Sequence, residues 1–129
     1  MHGYRALLLA ALSMDLAACS VQETPGGGGR IYSGSCAACH QANGEGIPGV
    51  YPSLKGSPVV LGDPKALARW VVKGERPAGM PAGRYPTKML QFGWLHDADA
   101  AALLTYLRSS FGNAAPPVDA ATIADALAK

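Results

Sequence analysis

Charge and cysteine are scarce in this chain. Only 16% of its 129 residues are charged, the formal net charge is +2, and no lysine or arginine run occurs. A nucleic-acid-binding chain needs a basic stripe or a recognition-helix signature, so that class is set aside. Long apolar runs are missing too: the one near the N-terminus falls well short of the roughly 20 residues that span a bilayer as a helix. No segment alternates apolar and polar residues as a half-buried strand would. The three cysteines, Cys19, Cys36 and Cys39, are an odd number, which argues against a disulfide framework. Each thiol needs its own account.

What the chain does contain is turn-forming residue, with Gly 16 and Pro 10, and an ordinary apolar share of 49%. Its first 19 residues read MHGYRALLLAALSMDLAAC. Arg5 supplies a positive start, and Ala6–Met14 supplies nine mostly apolar residues, the layout of an export signal. Leu16-Ala17-Ala18-Cys19 resembles a bacterial lipobox, in which Cys19 is lipidated and becomes the first mature residue. The alternative is an ordinary signal peptide cleaved after Ala18, with Cys19 an incidental thiol. The expected organisation is therefore a lipoprotein-type signal peptide over 1–18, a flexible tether over 19–27, one domain over 28–118 and a C-terminal tail over 119–129. A tether of that length reaches under roughly 30 Å, so the domain would stay near a membrane surface.

Cys36-Ala37-Ala38-Cys39-His40 is a C-x-x-C-H run, the attachment signature for c-type haem. Two thiols three residues apart on a helical turn lie on one side of it and can both add to the vinyl groups of one haem. The adjacent histidine is then a proximal iron ligand. A thioredoxin-like C-x-x-C needs a preceding strand in a βαβ context, and no strand pattern precedes Cys36. A structural zinc site needs four ligands, but no second cysteine pair exists and only His2 and His96 are left over.

The rest of the domain reads as all-α, about three core helices joined by long loops. The first spans about 30–39. The second, over 64–73, has Asp63 as N-cap, Pro64 at its first position and Gly74 as its stop. The third spans about 98–111, with Ala100, Leu103, Leu104, Leu107 and Phe111 on one face and Gly112-Asn113 after it. Between Lys55 and Lys88 lie seven basic residues against two acidic ones, a distribution that suits either a solvated face or docking to an acidic partner. Residues 114–129 read as a Pro-rich turn and a short helical segment.

Gly28, Tyr32 and Cys36 share one helical face, and this spacing resembles the first helix of the class I c-type cytochromes. The segment from Met89 to Trp94, followed by Leu103–Asn113, is similar to the monohaem cytochrome modules associated with periplasmic alcohol and aldehyde dehydrogenases. The resemblance implies a small cytochrome c fold wrapped around one covalent haem c. It implies that helix one crosses the last helix near Tyr32, and that the Pro52 carbonyl accepts the Nδ1–H of His40. It implies methionine as the sixth iron ligand: Met89, with Phe92 at plus three and Asp97 at plus eight, or Met80, which has the proline after it that the family commonly shows. The implied function is one-electron transfer with no substrate turned over, so not an enzyme. Electrons would pass from a periplasmic dehydrogenase to a terminal oxidase or another cytochrome. Two alternatives stand beside it: a five-coordinate haem enzyme or gas-binding protein, and a fixed cytochrome subunit of a dehydrogenase complex.

Overall fold

The computed structural model describes residues 27–128, so the export signal, Cys19 and all of the tether before Gly27 lie outside the described residues. Among the described residues six helices follow one another: α1 (Gly28–Ser35), α2 (Ala37–His40), α3 (Pro58–Leu61), α4 (Pro64–Lys73), α5 (Asp97–Ser109) and α6 (Ala120–Leu127). Among the described residues there is no strand, only one isolated bridge between Ile47 and Tyr51. The domain is all-α.

Helix α1 lies across α5, and Gly28 is what permits it. A Cβ built at Gly28 would stand 2.1 Å from the Ala102 carbonyl oxygen and 2.9 Å from the Cβ of Tyr106. Only a residue without a side chain lets the two backbones approach this closely. One turn on, the Tyr32 ring packs on Tyr106 and Phe111, with centroids 5.4 and 5.1 Å away. The expected single helix over 30–39 is two. At Cys36 φ widens to −116°, and the helix restarts as α2.

Helix α4 follows its sequence signals. The Asp63 carboxylate accepts from the Lys65 and Ala66 amides at 3.0 and 3.3 Å, and Gly74 ends the helix in the left-handed region at φ 73°. Leu67, Ala68, Val71 and Val72 face the core, where Leu103, Leu104 and Leu107 of α5 meet them. Helix α5 ends two residues earlier than expected. Ser110 leaves the helix at ψ 172°, and Phe111 takes φ 61°, which turns its ring over Gly44.

Residues 119–128, set apart as a tail by the sequence, pack into the domain. Ile123 and Ala126 of α6 are buried at 0 and 1% exposure, and Val118 ahead of them is buried too. Lys65 pairs with Asp125, and Lys73 Nζ donates to the Leu127 carbonyl at 2.7 Å, so α6 is fastened along α4. Behind it, Arg108 of α5 is buried with its guanidinium donating to the Val60, Gly62 and Pro116 carbonyls at 2.7, 2.9 and 2.9 Å. This one side chain ties α5 to the α3–α4 connection and to the approach of α6.

Candidate functional site

The C-x-x-C-H run starts at the break between α1 and α2, which is Cys36, and its other four residues form α2. The Cys36 amide donates back to the Tyr32 carbonyl at 2.8 Å, and the His40 amide donates to the Cys36 carbonyl at 2.9 Å. A single turn thus carries both thiols and the imidazole. Both thiols are free, Cys36 buried and Cys39 half-buried. Burial, with the Cys39 thiol adding to it, pushes the Cys36 thiol up to about 11. A C-x-x-C nucleophile needs the opposite shift, since its reactivity comes from a depressed thiol pKa. That direction does not favour a redox dithiol.

His40 is buried, and its Nδ1 lies 2.9 Å from the Pro52 carbonyl oxygen. A carbonyl can only accept, so Nδ1 carries the proton and Nε2 keeps its lone pair. Burial outweighs the opposing effect of that bond and holds the imidazole below its ordinary pKa, in the neutral form a metal requires. The loop that delivers Pro52 is tightly self-bonded: the Gly46 amide donates to the His40 carbonyl at 2.9 Å, and Ile47 and Tyr51 exchange bonds of 2.9 and 2.8 Å.

Gly46 is a supporting residue that sequence reasoning passed over. At φ 64° its missing side chain would have met the Tyr51 and Pro52 carbonyl oxygens at 2.4 and 2.6 Å. Any Cβ there would displace the carbonyl that orients His40. Its only signal was membership of the glycine-rich stretch after the motif.

Of the two methionines, Met89 is half-buried against the core cluster. Its segment is fastened to the end of α4 by the Phe92 amide donating to the Val71 carbonyl at 3.0 Å, with Phe92 itself buried. Met80 sits instead in a turn where its amide donates to the Pro77 carbonyl at 3.1 Å and Arg76 donates to the Pro81 carbonyl at 3.0 Å. It is not among the side chains packed on that cluster.

Two free thiols one turn apart, a neutral histidine with an oriented Nε2 and a thioether on the core wall suit a covalently held haem, with nitrogen and sulfur donors for its iron. The comparisons agree with that chemistry. The family model for cytochrome c matches residues 27–111. Cytochrome c-552 of Thermus thermophilus is 33% identical over 92 residues, covering 67% of this chain and 70% of that one. The gluconate 2-dehydrogenase cytochrome c subunit of Pantoea cypripedii is 33% identical over 91 residues, 68% of this chain and 21% of that subunit. The quinone-type alcohol dehydrogenase cytochrome c subunit of Gluconobacter oxydans is 34% identical over 95 residues, 69% of this chain and 19% of that subunit. The match therefore spans about a fifth of those dehydrogenase subunits.

The chain belongs to the cytochrome c family. Its cofactor is covalently bound haem c.

Proposed function

We propose that Cys36 and Cys39 would hold the haem through thioether bonds, that His40 Nε2 and the Met89 sulfur would be donors to its iron, and that the chain is a one-electron carrier. The bond of 2.9 Å from His40 Nδ1 to the Pro52 carbonyl carries this reading. It supplies the second-sphere contact that fixes tautomer and ring orientation and raises the basicity of a metal-ligating histidine. When bound, haem supplies a reversible Fe(III)/Fe(II) couple. The chain's part is to keep both ligands in place in either state, so that little reorganises, and to exclude water with Leu67, Val71, Phe92 and Leu103. Met89 is preferred over Met80 because its sulfur-bearing side chain already packs on that wall.

The proposed donor is a periplasmic dehydrogenase and the acceptor a terminal oxidase or another cytochrome. Arg76, Arg84 and Lys88 are exposed and, among the described residues, have no acidic partner. They suit docking to an acidic surface, with a rate that falls as salt is added. Export, with lipidation at Cys19 and the membrane proximity it brings, is part of the same proposal. No helix among the described residues is long and apolar enough to cross a membrane.

A second reading, a fixed subunit of a dehydrogenase complex, draws on the two relatives that are named as such subunits. Co-purification with a dehydrogenase separates it from a free carrier. The ligation is tested on matured protein. The ferric form should show the weak far-red band of iron–thioether bonding, and the ferrous form should resist carbon monoxide. Met89→Ala should abolish the band and admit carbon monoxide, and Met80→Ala should do neither. The reverse pattern would reassign the ligand. An open sixth position in the unaltered protein would favour a gas-binding or enzymatic role.

A further inference from the structure

We propose that Tyr32 is a positioning residue for His40, clamping both ends of the Cys36–His40 turn so that a strained Gln41 keeps the imidazole against the Pro52 carbonyl. The inference rests on the reading that His40 ligates haem iron. Its starting point is a backbone outlier. Gln41, directly after His40, takes φ 63° and ψ 159°, a region that residues other than glycine essentially avoid. Such a conformation persists only where its surroundings enforce it.

Tyr32 supplies much of that enforcement. Its backbone carbonyl accepts from the Cys36 amide at 2.8 Å, at the start of the turn. Its hydroxyl donates to the Gln41 carbonyl at 2.6 Å, just past the end. The Gly44 amide reaches the same carbonyl at 3.1 Å. Contacts from the Gln41 side chain itself, to Ala38 and Cys39 carbonyls, are 3.5 Å long and hold little. The Tyr32 ring is 1% exposed and wedged between Tyr106 and Phe111, so its hydroxyl has no freedom to wander. A phenylalanine would fill the same space; the hydroxyl is there for the carbonyl.

Released from that bond, Gln41 relaxes toward an ordinary φ, and its rotation is passed to the adjoining His40 peptide. The Nδ1–H bond to Pro52 then lengthens. A weaker bond makes the imidazole a poorer donor, which disfavours Fe(III) relative to Fe(II) and raises the midpoint potential. A purely structural Tyr32 would alter stability and leave that potential alone.

The test compares wild type, Tyr32→Phe, Gln41→Gly and the double variant as matured holoproteins, each first checked for haem that resists acidified organic solvent. Spectroelectrochemical titration reads the midpoint, and guanidinium unfolding reads stability. Tyr32→Phe should shift the midpoint upward. In the Gln41→Gly background, where glycine carries the same dihedrals without strain, that shift should fall by at least half. An unmoved or lowered midpoint overturns the proposal, as does a full-sized shift in the glycine background. If Tyr32→Phe does not accumulate, Gln41→Gly alone decides: strain relief should raise the denaturant midpoint, and no rise overturns the proposal. A wild-type protein without covalent haem would sink the ligand assignment itself, whereas unmoved potentials in pigmented variants sink only the role of Tyr32.

Discussion

Arg108 offers the sharpest test of how the fold is held. It lies in the last turn of α5 at 4% exposure, and among the described residues it has no carboxylate partner. Its charge is met by the Val60, Gly62 and Pro116 carbonyls and by the negative end of its own helix. Arg108→Met keeps the apolar stem and removes every one of those bonds. Hydrogen bonds to a charged donor each contribute about 1.5–3 kcal/mol net, and the Val60 carbonyl, the one of the three whose bond is buried, costs about 1 kcal/mol or more when left without a partner. Against this, the guanidinium no longer has to be desolvated, which returns several kcal/mol. The balance is a loss of about 3–5 kcal/mol. For a domain of this size that lowers Tm by about 12 °C or more. Thermal and guanidinium unfolding of the holoprotein, followed by far-ultraviolet dichroism, measure it. Arg108→Lys can recover only part of the set and should fall between. Hydrogen exchange in α6 should accelerate first, because Pro116 is the hold just ahead of it. A Met variant within about 1 kcal/mol of wild type would refute this account, since the carbonyls would then have found other partners.

Three further outcomes follow from the packing. Gly28→Ala should cost about 1–3 kcal/mol or more by forcing α1 off the Ala102 carbonyl, and equal denaturation curves would contradict it. Ile123→Ala should cost about 2–4 kcal/mol, a loss that a detached tail could not produce; urea titration distinguishes the two. Burial first, then the Cys36 thiol and Tyr106, push the Tyr32 phenol up to about 12 from an ordinary 10.0. Its neutral form is favoured by folding, so this stability is complete below pH 10 and is lost as pH rises from there through the folded value. Allowing for the thiol contribution that a thioether would remove, the loss is about 2 kcal/mol. Tyr32→Phe should flatten that alkaline slope, and parallel curves would argue against it.

Some of this was legible beforehand. The proposed attachment turn is local chemistry written in five consecutive residues, and α4 carries its own start and stop in Asp63-Pro64 and Gly74. The α1–α5 crossing followed from the family pattern of Gly28 and Tyr32. What escaped was set by distant partners. Helical periodicity runs unbroken through Cys36, so the interruption between α1 and α2 leaves no mark on it. Arg108 looks like any surface cation until carbonyls from residues 60, 62 and 116 close around it. Helix α6 is short and alanine-rich, and its fastening to Lys65 and Lys73 joins residues over 50 positions apart. Gly46 and the Tyr32–Gln41 bond escaped for the same reason: each matters through a carbonyl that only the folded loop brings near.

The most direct test of the central claim is intact mass measurement of the chain, matured with haem-attachment machinery and extracted with acidified organic solvent. The account predicts that the pigment stays with the polypeptide and adds the mass of one haem, and that Cys36→Ala with Cys39→Ala loses both colour and mass. A colourless chain of unmodified mass, or pigment that partitions into the solvent, would contradict it.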